Sequence, residues 1–183
     1  MNDVPEKLPI LSATESCGCP DIDPKAALRV AVFTLSDTRT LADDRSGDRV
    51  VELFENEGHH VVIREILTDD AEPLIARIRA VCQTPGLDAI VTTGGTGIAP
   101  RDLAIDAIES LLEVSLPGFG EYFRSLSIAE IGPKAMLSRA TAGRIGRTVI
   151  FALPGSTGAV TTGMTHCVLP IIRHAVSLVQ RAS

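Results

Sequence analysis

The chain has 183 residues, 45% of them hydrophobic and only 3% aromatic, with no Trp and a formal net charge of -6. That length and apolar content suffice to bury one aliphatic core. The acidic balance argues against a general binder of nucleic-acid backbones, and the scarcity of rings argues against a base-stacking surface.

No apolar run approaches the roughly 18 residues of a membrane-spanning helix. The first 23 residues also lack the apolar segment of a signal peptide, so the expected location is the cytoplasm. Residues 1–27 carry Pro5, Pro9, Pro20 and Pro24 without a hydrophobic period. They read as a flexible N-terminal extension, leaving 28–183 as a single domain. Cys17-Gly18-Cys19 in that extension could grip a soft metal, but His59, His60, His166 and His174 offer no pattern completing a four-ligand site. A reduced thiol pair is the plainer reading.

Arg29–Leu35 (RVAVFTL) suits a buried strand, and Val50, Val51, Leu53 and Phe54 then recur with helical spacing inside Ser46–Glu57. Gly58 stops that helix. His60–Leu67 makes a second strand, after which the acid-first pattern of Asp69–Glu72, with Pro73 in the first turn, opens a helix running to about Cys82. Asp88–Thr93 is a third strand, and Asp102 stands where a helix beginning near Leu103 would take its N-cap. Phe119, Tyr122 and Phe123 fall in a helical stretch, as core or subunit contacts. Ala140–Ile145 and Thr148–Leu153 (TVIFAL) suit a hairpin around Gly146, and Thr157–Val168 and Ile171–Arg181 read as helices separated at Pro170. Cys82 and Cys167 sit among apolar residues as small core hydrophobes. The alternation predicts a three-layer α/β/α fold with a mostly parallel central sheet.

Ligands of open parallel sheets bind beyond the carboxyl ends of the strands. Here those ends are polar: Ser36-Asp37-Thr38-Arg39 with Asp43–Gly47, then Thr68-Asp69-Asp70, then Thr92–Gly97, then Pro154–Gly158. Each segment alone is also explained by turn and cap preferences; their convergence points to a site. Glycines let backbone amides reach a phosphate without a lysine. The loop Gly94-Gly95-Thr96-Gly97 is not a P-loop and does not complete G-x-G-x-x-G, because Pro100 takes the last place. Carboxylates beside phosphate oxygens are a usual Mg2+ environment, so Asp102 facing Asp69 or Asp70 suggests metal-assisted nucleotide chemistry.

Ser36-Asp37, Asp44-Arg45-Ser46-Gly47, TTGGTGIAPRD at 92–102, PGFGEYFR at 117–124, MLSRATAG at 136–143 and LPGS at 153–156 together resemble the MoaB/MogA family of molybdenum cofactor biosynthesis, which includes the G domain of gephyrin. The resemblance spans about residues 28–181. It implies a molybdopterin adenylyltransferase that converts Mg-ATP and molybdopterin to adenylyl-molybdopterin and pyrophosphate. It implies that Asp69 and Asp102 are the acids needed for turnover and hold Mg2+, with Asp70 the alternative to Asp69. Some members lacking the first acid are thought inactive, and a chain that lost turnover would instead be a molybdopterin carrier. Gly94, Gly95, Thr96 and Gly97 match the nucleotide-phosphate loop, and Ser127, Ser138 and Arg139 match the pterin side. The Arg139 fork suits a phosphate, an ion pair at the surface being the other reading; Arg101 could reach phosphate or solvent. Pro154, Gly155 and Ser156 match the pocket rim, and Ser36 and Asp37 the end of the first strand. The resemblance also implies a homo-oligomer, trimer or hexamer, and hand-over of product to a molybdate-insertion protein.

Overall fold

The computed structural model describes residue 23, residues 26–100 and residues 102–180. The Cys17-Gly18-Cys19 segment, Arg101 and the last residue of the predicted final helix, Arg181, lie outside the described residues. Among those described, β1 (Arg29–Leu35), β2 (His60–Leu67), β3 (Ala89–Thr93), β4 (Val114–Ser115), β5 (Thr141–Ile145) and β6 (Thr148–Leu153) form one sheet in the order β2-β1-β3-β6-β5-β4. The neighbours β2, β1, β3 and β6 run parallel. β5 and β4 complete the sheet in antiparallel fashion, with β5 and β6 forming the predicted hairpin.

Helices cover both faces, which is why β1 after Arg29, β3 and β6 are buried along their length and mostly apolar rather than alternating. Val30 and Val32 pack with α1 (Arg45–Asn56), α4 (Pro117–Ile131), α5 (Thr157–Gly163) and α6 (Ile172–Gln180). Ala31, Phe33 and Leu35 point the other way, onto α2 (Ala71–Cys82) and α3 (Ala104–Glu109). This is the expected three-layer arrangement, built on the two-residue period of a strand. Phe119 and Phe123 enter the first core, whereas Tyr122 is exposed. Ile172 and Val176 place the α6 stripe inside the same core, and Cys167 is buried there. Cys82 packs at the edge of the second core.

Local details depart from expectation where a backbone or side-chain bond decides. α1 begins at Arg45 because Asp44 caps it, accepting from the Gly47 amide. α3 is capped at Leu103, with no side-chain cap bond, so Asp102 does not take the N-cap position. Residues 157–168 are helical, but Met164–Val168 widen into a π turn in which the Leu169 amide donates to Met164 O at 2.9 Å. β4, two exposed residues long, has no counterpart among the predicted elements. No described helix is long and apolar enough to cross a membrane.

Candidate functional site

Beyond the C-terminal ends of β1, β3 and β6 lies an open cleft of about 470 Å³. Ser36 and Arg39 line it after β1, Gly94–Gly97 after β3, and Gly155 and Ser156 after β6. Parallel strands carry their loops to one edge, so three segments far apart in sequence meet there.

Close approach explains the glycines. Gly94 has φ +108° and passes so near β1 that a Cβ would fall 2.4 Å from Leu35 O. At Gly95 (φ +63°) a Cβ would lie 2.8 Å from Asp69 Oδ1, and at Gly97 it would lie 2.3 Å from Asp102 Oδ2. The missing side chains thus leave room for two carboxylates against the loop. The Gly94 amide donates to Leu153 O at 3.0 Å, while those of Gly95, Thr96 and Gly97 meet no acceptor among the described residues. Free amides in a glycine turn are suited to an anion.

Asp102 folds the segment after the loop onto itself. Its Oδ2 accepts from the Ala99 amide at 2.8 Å, and its own amide donates to Ala99 O at 2.9 Å. Oδ1 makes no hydrogen bond among the described residues. Asp69 is half-buried, and its amide donates to Asp37 Oδ1 at 3.3 Å. Asp70 is exposed at the start of α2 with no side-chain cap bond. Asp69, not Asp70, is therefore the acid packed against the glycine loop. The described residues contain no cluster of three or more His, Cys, Asp or Glu arranged for a metal. Two carboxylates suit Mg2+ when substrate phosphates supply further oxygens.

Other predicted residues are spread around this centre. Ser36 Oγ accepts from the Thr38 and Arg39 amides at 3.3 and 3.2 Å. Pro154 O accepts from Thr93 Oγ1 at 3.0 Å, and Ser156 caps α5 through the Ala159 amide. Gly155 meets the loop, where a Cβ would come 3.2 Å from Gly94 Cα. Ser127 is buried and donates back to Phe123 O at 2.9 Å within α4, so its hydroxyl does not reach the cleft. Ser138 follows the 3-10 turn Gly132–Leu137 and accepts, at its carbonyl, from Arg124 at 3.2 Å.

Arg139 clamps the loop instead of projecting its fork into the cleft. Nε donates to Gly97 O at 2.8 Å, Nη2 donates to Asp102 O, and Nη1 pairs with Asp106 at 2.9 Å. Its amide adds a bond to Thr96 O at 3.1 Å. One residue therefore ties together both ends of the Gly97–Asp102 segment.

Sequence reasoning assigned no role to Arg39 or Asp44. Asp44 is completely buried, accepting from Thr34 Oγ1 (2.6 Å), the Gly47 amide (2.9 Å) and Ser46 Oγ (3.1 Å), with Arg64 at 3.4 Å. Burial alone would raise its pKa, but these donors outweigh it and hold the carboxyl below the ordinary range. Arg39 Nη1 donates to Ser46 Oγ at 2.8 Å and to Gly155 O at 3.5 Å. The visible signal was a cation after a strand end; its fold-back onto Ser46 and, 116 positions away, Gly155 is set by the folded chain.

Comparison with known proteins identifies the family and agrees with the fold. Residues 31–174 match the family described as a probable molybdopterin binding domain. A Bacillus subtilis protein named molybdenum cofactor biosynthesis protein B is 44% identical over 155 residues, spanning 84% of this chain and 91% of the relative. A crystal structure of a molybdenum cofactor biosynthesis protein B superposes with a TM-score of 0.83 at 42% identity, covering 86% of this chain and 98% of that one. The tungsten cofactor synthesizing protein MoaB from Pyrococcus furiosus gives a TM-score of 0.67 at 39% identity, covering 85% and 96%.

Proposed function

The chain belongs to the MoaB/MogA family of molybdenum cofactor biosynthesis, and from that premise we propose that it is a molybdopterin adenylyltransferase. The terminal phosphate oxygen of molybdopterin bonds to the α-phosphorus of ATP as the bond from that phosphorus to the β-bridging oxygen breaks. Adenylyl-molybdopterin and pyrophosphate are the products.

The observation that carries this reading is the placement of Asp69 against Gly95 and Asp102 against Gly97, beside a cleft lined by that same loop. The amides of Gly95, Thr96 and Gly97 hold phosphate, and Ser36, Gly155 and Ser156 bound the pocket. Mg2+, held by Asp69, Asp102 and the substrate phosphates, would neutralise phosphoryl charge. The chain's own contribution is chiefly to position two anionic substrates and keep them oriented. Asp37 supports Asp69 through its amide, and Arg139 supports Asp102. Ser138 stands at the pterin side.

We assign this activity to residues 28–183, with residues 1–27 outside the catalytic unit, and place it in the cytoplasm. Ile128, Ile131, Met136 and Leu137 are 52–70% exposed on α4 and the turn after it. That apolar face supports a homo-oligomer, trimer or hexamer, which light scattering would weigh directly. The product then passes to a molybdate-insertion protein.

The test is adenylyl transfer by purified protein given molybdopterin and Mg-ATP, with pyrophosphate and adenylated pterin detected and Asp69→Asn and Asp102→Asn run alongside. Product from wild type alone supports the assignment. Tight molybdopterin binding without product would make the protein a carrier.

A further inference from the structure

Arg39 stands where two clefts meet. Besides the glycine cleft, a second open cleft of about 480 Å³ runs along the C-terminal half of β2, lined by Leu41 and by Arg64–Thr68. Ser36 and Arg39 line both. A reaction that transfers a group between two substrates needs such a boundary, because the transferred group must touch both.

We propose that Arg39 binds the phosphoryl group at that boundary, its free guanidinium nitrogens serving as the anion's side-chain donors; the proposal rests on the adenylyl-transfer reading. Among the described residues only Nη1 is engaged, by Ser46 Oγ and Gly155 O. Nε and Nη2 make no hydrogen bond among the described residues, and the nearest carboxylate oxygen, on Asp44, is 4.0 Å from Nη1. Two parallel N-H groups are thus available to a phosphate, for which the planar fork is well matched. The one acid lining the second cleft, Glu65, accepts from Arg77 Nε at 2.8 Å, and the glycine-cleft side favours an anion. The glycine cleft carries hydroxyls, glycines and Arg39, with no acidic side chain in its lining, although the whole chain is acidic.

The anchor also makes the cation rigid. Ser46 Oγ accepts from Arg39 and donates to Asp44, and Asp44 is locked by Thr34, the Gly47 amide and Arg64. A guanidinium oriented before substrate arrives loses less freedom on binding and acts with less reorganisation when charge shifts in the transfer.

The test titrates the full chain with pyrophosphate and with Mg-ATP by calorimetry, comparing wild type with Arg39→Gln, Arg39→Lys and Arg79→Gln. Arg79 is exposed on α2, so its variant removes the same charge away from the clefts. Arg39→Gln is expected to weaken pyrophosphate binding about tenfold or more, Arg39→Lys to fall between, and Arg79→Gln to bind as wild type. In the transfer assay kcat should fall by a larger factor in Arg39→Gln than KM rises. Thermal midpoints near wild type would confirm that folding is intact, as the 40% exposure of the Arg39 side chain predicts. Unchanged pyrophosphate affinity and kcat in Arg39→Gln would overturn the proposal, as would an equal loss in Arg79→Gln. If wild type transfers no adenylyl group but its pyrophosphate affinity depends on Arg39, the anion site stands and the reaction assignment falls.

Discussion

The Asp102 carboxylate rests on the Cα of Gly97, so near that a Cβ built there would sit 2.3 Å from Oδ2. The backbone at Gly97 does not have positive φ, so an added methyl group acts through space rather than strain. Gly97→Ala should therefore displace the carboxylate while the fold persists. A misplacement of about 1 Å costs on the order of 10²-fold in turnover. Steady-state kinetics would show that loss, with Gly118→Ala, whose Cβ meets nothing within 4 Å, retaining wild-type rates.

Arg139 should matter through the loop it holds. Arg139→Ala removes donors from Gly97 O, Asp102 O and Asp106 together. The expected outcome is a higher Mg2+ requirement for adenylyl transfer and a lower kcat, with partial rescue in Arg139→Lys. Asp106→Asn removes only the exposed ion pair, in which the Asp106 side chain is 63% exposed, and should cost about 1 kcal/mol or less in stability. A Mg2+ titration of activity across the three variants separates loop positioning from surface charge.

Asp44 is a fully buried carboxylate held by several donors. Asp44→Ala strands the Thr34 hydroxyl and the Gly47 amide in the interior and frees Ser46, which anchors Arg39. Breaking such a buried charged network costs about 3–5 kcal/mol. Denaturant unfolding should show that loss. Because the folded carboxyl has a lowered pKa, its contribution is present above the ordinary 3.8 and disappears as pH falls below that value toward the folded pKa.

The sheet was legible because its central strands are short, branched and apolar on both faces; Arg29–Leu35 and Thr148–Leu153 have the same limits in sequence and structure. β4 was not, since Val114 and Ser115 carry no period and are defined by pairing with Arg144 and Gly143. The glycine loop and both acids were visible as chemistry. Which amide Asp102 would engage was not: capping α3 and closing back onto Ala99 are both short-range bonds to a backbone N-H, and the path of the chain decides. Arg139 meets Gly97 across 42 positions, a pairing that only the folded sheet creates. The choice between Asp69 and Asp70 was open in sequence for the same reason.

His59 should make the fold sensitive to mild acid. The ring is buried, edge-on to Phe54 at a centroid distance of 5.8 Å, and Nδ1 accepts from the Leu28 amide at 3.1 Å. An accepting nitrogen requires the neutral ring, with its proton on Nε2. Burial, with Arg173 acting in the same direction, pushes the folded pKa below the ordinary 6.5. As pH falls through 6.5 the unfolded chain takes up the proton first, so stability is complete above that pH and declines below it until the folded pKa is reached. The slope in that window is at most about 1.4 kcal/mol per pH unit. Urea unfolding between about pH 7.5 and about pH 5.5 should show it, before carboxylate protonation dominates. His59→Leu should be less stable at the upper pH, having lost the acceptor for Leu28, yet flatter across the window; a variant with the wild-type slope would assign the acid sensitivity elsewhere.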